Sequence, residues 1–239
     1  MSKYKVIQWA TGVVGTAALK GVIRHPKLEL VAVKVYSDES GKVNFHASGC
    51  NPGGIAERFP LTFTGWCNRI DRITMTECGD CRTYSSEGVI RELMNLGKTP
   101  EEAENNPIKE MLKAFWYEPI EMIAEGLGSE VVEYEARHNY ILANQDIDTA
   151  VGVIEKDTIA LNNYLHIGRT REGTEIIQEQ IWYMDDIEQT RLQKTMDIPR
   201  RSGWRIKIEG DVNLIVDIGF PPELSQEEHM AQGMRETSR

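Results

Sequence analysis

The sequence predicts a protein of the α/β plus α+β class, in which a short parallel β-α-β unit precedes a larger, mostly antiparallel sheet domain with helices on one face. Residues 5–36 have the pattern of strand, turn, helix and strand, and this alternation then stops. Residues 130–220 instead carry near-alternating apolar patterns separated by turns, which is typical of antiparallel strands. These observations predict two domains, residues 1–42 and residues 43–239.

The first domain begins with an apolar run of strand type at residues 5–10 and a tight turn, followed by apolar residues at helical spacing. His25 and Pro26 end this helix, because proline cannot continue a helix and restricts the residue before it. Residues 28–36 are rich in β-branched side chains, which is typical of a strand buried on both faces. A complete doubly wound sheet needs several more such units, so the sequence predicts a partial one.

The second domain is predicted from local start and stop signals. Thr99 is followed by Pro100 and then by Glu102, which together form the signature of a capped helix start. Residues 171–173 and 210–211 lie between apolar runs, as hairpin turns do. The expected helices are residues 55–65, 86–96 and 108–125, and the expected strands are residues 70–82, 130–142, 150–154, 158–170, 174–184, 204–209 and 212–220.

The composition predicts a globular protein with reduced thiols. The chain has 239 residues, a formal net charge of -10 and four cysteines, too few for a disulfide framework in a chain of this length. A pI of about 5.1 gives an anionic surface, which argues against nucleic acid and anionic membranes as partners. No apolar run approaches the roughly 20 residues of a bilayer span, and the start of the chain lacks a signal-peptide pattern. A cytoplasmic location is therefore expected.

The turn between the first strand and the first helix carries the glycine pattern Ala10-x-Gly12-x-x-Gly15, in which alanine replaces the first glycine of a dinucleotide-binding (Rossmann-type) fingerprint. Such glycines let the backbone approach a pyrophosphate, which the helix N-terminus holds with free amides. A position between a strand and a helix favours a nucleotide site over an ordinary turn without a ligand. The residues expected to bind the cofactor here are Thr11, Gly12, Val13, Val14 and Gly15.

Ser37 lies at the end of the second strand, in the region that usually meets the adenosine ribose, and is also expected to bind the cofactor. The carboxylates of Asp38 and Glu39 would suit the ribose hydroxyls of NAD, whereas Ser37 with Lys42 would suit the extra phosphate of NADP. The expected cofactor is therefore NAD or NADP, and the sequence does not choose between them.

Six short segments between residues 6 and 103 carry a family resemblance that extends over nearly the whole chain. They are Val6-Ile7-Gln8-Trp9-Ala10-Thr11-Gly12-Val13-Val14-Gly15, Leu28-Glu29-Leu30-Val31, Ser48-Gly49-Cys50-Asn51-Pro52-Gly53, Arg58-Phe59-Pro60-Leu61, Arg82-Thr83-Tyr84 and Pro100-Glu101-Glu102-Ala103. Together they resemble the dihydrodipicolinate reductase-like family, and most closely its branch of 2,4-diaminopentanoate dehydrogenases and native amine dehydrogenases.

The resemblance implies NAD(P)H-linked reduction of an imine, or the reverse oxidative deamination of an amine. It also implies that the second domain supplies substrate contacts and a dimer interface, so we expect a small amine, imine or carbonyl substrate and a homodimer. Family members are longer, and the segment that should follow Lys42 has no counterpart here. In the family that segment holds the nicotinamide site and an acidic catalytic residue, and the C-terminal helix is also shortened. No catalytic residue is therefore assigned.

The expected substrate-binding residues are His46, Ser48 and Asn51. The resemblance places them where the family's second domain begins, facing the cleft. The alternative for His46 is a hydrogen-bonded core residue, which is common for a histidine flanked by apolar residues in a strand. For His138 and His166, which lie in strand-like stretches, structural roles are expected.

Other chemically reactive residues are given structural interpretations. Cys78 and Cys81 have the spacing of a zinc-binding or redox pair, but no second short-spaced pair exists, so no metal site is predicted. Glu77, Asp80 and Arg82 are interpreted as a solvated ion-pair face of one strand rather than as catalytic residues. A core or dimer contact is expected for a helical apolar stripe formed by Met111, Phe115, Trp116, Ile120 and Ile123.

Two functions fit these observations. The first is an oxidoreductase of the amine dehydrogenase or dihydrodipicolinate reductase-like kind, in which the cofactor carries the hydride and the protein positions the reactants. The second is a non-catalytic dimeric binding module that keeps the substrate-domain sheet without a complete nicotinamide site. Binding of NADH or NADPH distinguishes them.

Overall fold

The chain divides into two compact units, residues 1–55 together with 224–239, and residues 56–223. The computed structural model describes residues 4–9, 21–34, 50–184 and 202–219. The predicted domain boundary after residue 42 lies outside the described residues and stays a prediction.

The described part of the first unit centres on two parallel strands. Strand β1 (Tyr4–Trp9) pairs with β2 (Leu28–Lys34), with Tyr4 opposite Leu28 and Trp9 opposite Lys34. Residues 21–24 are helical and end before β2, as His25 and Pro26 predicted. Parallel pairing requires a crossover connection between the strands, so the observed pair fits the predicted β-α-β unit. The glycine-bearing turn lies outside the described residues.

The second unit is built on a six-stranded sheet with the strand order β10-β9-β3-β8-β7-β4. Its strands are β3 (Ile70–Asp80), β4 (Val131–Leu142), β7 (Ile159–Thr170), β8 (Glu175–Tyr183), β9 (Gly203–Gly210) and β10 (Leu214–Ile218), and a separate hairpin is made by β5 (Ile147–Thr149) and β6 (Gly152–Ile154). Every neighbouring pair in the large sheet is antiparallel except β3 and β8. The mostly antiparallel sheet predicted for this domain is thus confirmed, with one parallel pair at its centre.

Helices precede or interrupt the strands at the predicted places. They are a π-type segment at Cys50–Arg58 whose backbone is non-helical at residues 51–53, α1 (Phe59–Thr64), a π-type turn at Gly88–Leu93, α2 (Pro100–Glu104) and α3 (Ile108–Gly126). The helix predicted over residues 86–96 is the π-type turn at Gly88–Leu93. It is shorter than predicted, and its backbone spiral is wider than that of an α-helix. No helix in the described ranges has the length and apolar character that crossing a bilayer requires.

Three strand predictions were wrong at their ends. The strand predicted to reach residue 82 stops at Asp80, because the Asp80 carboxylate accepts a hydrogen bond from the backbone of Arg82 at 3.1 Å and bends the chain. Of the strand predicted at residues 150–154, residues 150–151 are a turn and 152–154 form β6, which pairs with the unpredicted β5. The last strand begins at Leu214 because the preceding turn is longer than predicted, with the amide of Gly210 donating to the Asn213 side chain.

The helices α1 and α3 pack on one face of the large sheet. Trp116 of α3 lies over His166 of β7, with ring centroids 6.1 Å apart. One turn further on, Ile120 lies over Gly168, where an added Cβ would be only 2.3 Å from the Ile120 Cγ2. The stripe predicted on α3 is therefore split: Trp116 and Ile120 are buried, whereas Phe115 is 47% exposed. The buried members confirm the core assignment.

The opposite face of the sheet carries ion pairs at one end. Arg72 of β3 and Arg169 of β7 both contact Glu175 of β8, at 2.5 Å and 2.7 Å. Hydrogen bonds from Arg169 and Arg72 lower the pKa of the Glu175 carboxyl. Because these side chains are partly exposed, each pair contributes little stability. The pairs instead fix which strands can lie side by side.

The predicted helix start at Thr99 gives a first testable result. The Thr99 hydroxyl accepts from the Glu102 amide, and the Glu102 carboxylate accepts from the Thr99 amide at 2.8 Å. We expect Thr99→Ala to lower the free energy of unfolding by about 1 kcal/mol, because the amide of Glu102 loses its acceptor. Urea denaturation measures the loss, and Thr99→Ser, which keeps the hydroxyl, is the control. Equal losses in the two variants would contradict the capping assignment.

Candidate functional site

Most of the residues predicted to bind the cofactor or substrate lie outside the described residues. These are Thr11, Gly12, Val13, Val14, Gly15, Ser37, His46 and Ser48. Asn51 is described, half-buried, with an extended backbone at φ -150° and ψ 106°. Gly53 follows at φ 136°, a conformation that favours glycine over other residues. The predicted substrate role of Asn51 stays a prediction.

The second unit holds a group of buried and half-buried polar side chains, of which the sequence singled out only Glu77 and His166. We define the buried polar cluster as Glu77 of β3, Tyr134 of β4, His166 of β7, and Gln178 and Gln180 of β8. Strand register puts all five on the helix-covered face, with His166 opposite Gln178 and Gln180 opposite Glu77. His166 is 2% exposed and both glutamines are 0% exposed. Polar groups buried this deeply require hydrogen-bond partners.

The hydrogen bonds of Tyr134 determine which nitrogen of His166 carries the proton. The Tyr134 hydroxyl donates to the backbone carbonyl of Lys113 at 2.9 Å, since a carbonyl can only accept. The His166 Nδ1 lies 2.8 Å from the same hydroxyl oxygen and must therefore donate to it. Burial, with a smaller effect of the Lys113 charge, lowers the pKa of His166 to about 4. At neutral pH, His166 is thus uncharged and its Nε2 is an acceptor.

The two glutamines hold further unsatisfied atoms on the same face of the sheet. The Gln178 amide nitrogen donates to the carbonyl of Ala56 at 2.9 Å, which leaves its Oε1 as a buried acceptor. Within the described part of the chain, four buried side-chain atoms of the cluster have no hydrogen-bond partner: His166 Nε2, Gln178 Oε1, Gln180 Oε1 and Gln180 Nε2. Each such atom costs about 1–3 kcal/mol if nothing satisfies it.

Glu77 gives the cluster its carboxylate. The indole nitrogen of Trp182 donates to one oxygen at 2.7 Å, and that of Trp204 donates to the other at 2.9 Å. Two fixed N–H donors hold the carboxylate plane in one orientation. Glu77 is half-buried beside these indoles, so its carboxylate is less solvated than predicted.

The other two residues of that predicted face form a separate ion pair. Asp80 and Arg82 approach to 2.7 Å, with side chains 1% and 16% exposed. Register places Asp80 on the face opposite Glu77. The pairing confirms the structural interpretation of Asp80 and Arg82, but the pair is buried rather than solvated.

Cys78 and Cys81, which have the spacing of a zinc-binding or redox pair, lie in β3 and directly after it. Both thiols are free and buried. Burial is the largest cause that raises the pKa of Cys78 to about 12, and it raises the pKa of Cys81 as well. Neutral buried thiols are inert structural groups. Among the described residues, no three His, Cys, Asp or Glu side chains lie close enough together to hold a metal ion.

His138 belongs to a different hydrogen-bond network, which fixes the position of the segment before α2. Its Nε2 contacts Asn162 Oδ1 at 2.5 Å, and its ring stacks on Tyr164 with centroids 4.2 Å apart. Tyr164 accepts from Asn95, and Asn95 accepts from Asn106 at 2.6 Å. His138 therefore has the structural role that the sequence predicted. His166 differs, because its second nitrogen lacks a partner among the described residues.

Comparison with known proteins supports the fold. No protein-family model matches the chain, and no curated protein matches it in sequence. A solved structure, described as an amine dehydrogenase from Mycobacterium smegmatis, matches with a TM-score of 0.58 and 15% sequence identity. The match covers 80% of this chain and 52% of that one, so the chain spans about half the length of that structure. The α/β architecture is shared.

Proposed function

We propose that the protein is an oxidoreductase that acts on C=N and CH–NH2 groups with NAD or NADP as the coenzyme. The observation that carries the proposal is the parallel pairing of β1 with β2 on either side of the Ala10-x-Gly12-x-x-Gly15 pattern. The fold shared with an amine dehydrogenase supports it. The nicotinamide would supply or accept the hydride, and the protein would position the reactants.

The proposed roles follow the chain. Thr11, Gly12 and Gly15 would hold the diphosphate of the coenzyme and Ser37 its ribose, and the protein would act as a homodimer on a small amine, imine or carbonyl compound. The second unit supports this proposal with a buried, uncharged histidine and a carboxylate held by two indoles. Groups of this kind orient a polar substrate in a site that excludes water.

Coenzyme binding tests the proposal directly. We expect NADH or NADPH to give a saturable change in nucleotide fluorescence and a rise in the midpoint of thermal unfolding, about 2.7 kcal/mol of stabilisation at a hundredfold excess over Kd. Addition of an amine or carbonyl substrate should then change the absorbance of the reduced nicotinamide. If neither coenzyme binds, the proposal is wrong, and the non-catalytic dimeric binding module becomes the better description.

A matched pair of glycine variants shows whether binding uses the predicted turn. We expect Gly12→Ala to weaken coenzyme binding by about tenfold or more, because the methyl group intrudes where the backbone meets the pyrophosphate. Gly21→Ala is the control, since a Cβ at Gly21 has no heavy atom within 4 Å. Equal weakening in both variants would place the coenzyme elsewhere.

A further inference from the structure

Strand β4 lies at one edge of the six-stranded sheet. It pairs with β7 along one side, and within the described residues no strand lies along its other side. The strand extends from Val131 to Leu142, and an edge strand of this length turns a row of backbone N–H and C=O groups away from the sheet. Such an edge can pair with a strand of another chain, so the side chains of β4 determine which strand fits it.

The middle of β4 carries exposed charges of both signs. Glu135 and Arg137 lie on the face of the sheet away from the helices. Their side chains contact each other at 2.5 Å and are 54% and 56% exposed. Ala136, between them, lies opposite His166 and therefore projects from the helix-covered face. More than half of each charged side chain is thus accessible to a second chain.

This order of charges is complementary to itself in an antiparallel pair. If Ala136 of one copy lies opposite Ala136 of a second copy, Glu135 of each copy faces Arg137 of the other, with the helices of both copies on the same side. Moving the centre of the pair by one residue places either Glu135 opposite Glu135 or Arg137 opposite Arg137. Like charges directly opposite each other destabilise a strand pair. The charges therefore favour the register centred on Ala136.

Two exposed apolar side chains of β4 fit the same register. Val132 is 52% exposed and Tyr140 is 41% exposed. Both lie four residues from Ala136, so the register brings Val132 of one copy beside Tyr140 of the other at each end of the pair. The pairing removes apolar surface from water at both ends and joins opposite charges at the centre.

We propose that two copies of the chain join edge to edge through β4, in an antiparallel register centred on Ala136, so that their sheets become continuous. A second copy of β4 fits this edge because its charges and its exposed apolar side chains are complementary to those of the first. The homodimer rests on the proposed function, and this inference names the surface that forms it. The experiments below contain no coenzyme, so loss of NADH or NADPH binding leaves the edge pairing intact.

Two charge variants test the register. Glu135→Arg gives the centre of β4 two positive charges and Arg137→Glu gives it two negative charges, so each variant should self-associate about tenfold more weakly than the unmodified chain. An equimolar mixture of the two variants should associate like the unmodified chain, because each Glu then faces an Arg. Sedimentation velocity measures the association, and circular dichroism checks that these exposed substitutions leave the fold intact. Asp148→Arg, an exposed charge reversal in the hairpin of β5 and β6, is the control.

The result of the mixture distinguishes edge pairing from other contacts. Neither variant keeps the ion pair within its own strand, so only a contact between the two chains can restore association in the mixture. If the unmodified chain is a monomer, if both variants dimerise as it does, or if the mixture fails to associate, the proposal is overturned.

A cysteine at the centre of the register tests the contact itself. Directly opposite residues of an antiparallel pair have Cα atoms about 4.5–5.5 Å apart, a separation that a disulfide can span. We expect Ala136→Cys to form a covalent dimer under mild oxidation, as seen on a non-reducing gel, whereas the unmodified chain with its native cysteines does not. Gln145→Cys, exposed and beyond the end of β4, is the control for random collisions. Cross-linking of Ala136→Cys no greater than that of Gln145→Cys would overturn the proposal.

Discussion

Replacement of Ile120 with alanine is expected to lower the free energy of unfolding by about 2–5 kcal/mol. Ile120 is 0% exposed and joins α3 to the sheet at Gly168, a position where an added Cβ would lie 2.3 Å from its Cγ2. Loss of the side chain removes apolar burial and leaves a cavity over the glycine. Urea denaturation followed by tryptophan fluorescence measures the change.

The contact predicts that the two positions are coupled. Gly168→Ala alone should cost about 1–3 kcal/mol, because the new methyl group collides with Ile120. In the double variant the methyl group enters the space that Ile120 vacates, so the combined loss should be smaller than the sum of the single losses by about 1 kcal/mol or more. Ile208→Ala with Gly168→Ala is the control, since β9 and β7 are not neighbours and their losses should add. If the losses of unfolding free energy for the Ile120 and Gly168 substitutions were additive, the Ile120 side chain would not pack against Gly168.

Local signals account for the parts of the fold that the sequence predicted correctly. The capping residues Thr99 and Glu102 lie three positions apart, and the turn at residues 171–173 joins two strands that pair directly. In both cases the interacting groups are close in the sequence. The pairing of β3 with β8 joins Arg72 to Glu175 across more than a hundred residues, and no local pattern encodes it. That pairing explains why a sheet predicted from hairpins has a parallel centre.

The buried polar cluster was missed for a related reason. Gln178 and Gln180 alternate along β8, which predicts that they share a face, but alternation does not say whether that face meets solvent or helices. The sequence predicted a structural role for His166. The Tyr134 hydroxyl that bonds its Nδ1 lies on another strand, so no local pattern in the sequence shows that Nε2 is an acceptor. Two glutamines at this spacing, between isoleucines, are the signal that points to a buried polar face.

A large decrease in the free energy of unfolding is also expected at low pH. Burial lowers the pKa of His166 to about 4 from an ordinary value of 6.5, so between these pH values the unfolded chain binds a proton that the folded chain rejects. Stability is therefore full above pH 6.5 and falls as the pH drops towards 4. The shift corresponds to a loss of about 3 kcal/mol across that window. Burial also lowers the pKa of His138, which adds a loss in the same direction.

The variant His166→Gln isolates this contribution, because an amide can bond to Tyr134 but does not titrate in this range. We expect it to reduce the difference in unfolding free energy between pH 7 and pH 4 by about 3 kcal/mol relative to the unmodified chain. Gln145→Asn is the control, since Gln145 is exposed and an amide does not titrate in this range. Urea denaturation at a series of pH values measures all three proteins. If the pH dependence of His166→Gln equals that of the unmodified chain, the imidazole accepts a proton in the folded state, and the assignment of His166 as a neutral buried side chain is wrong.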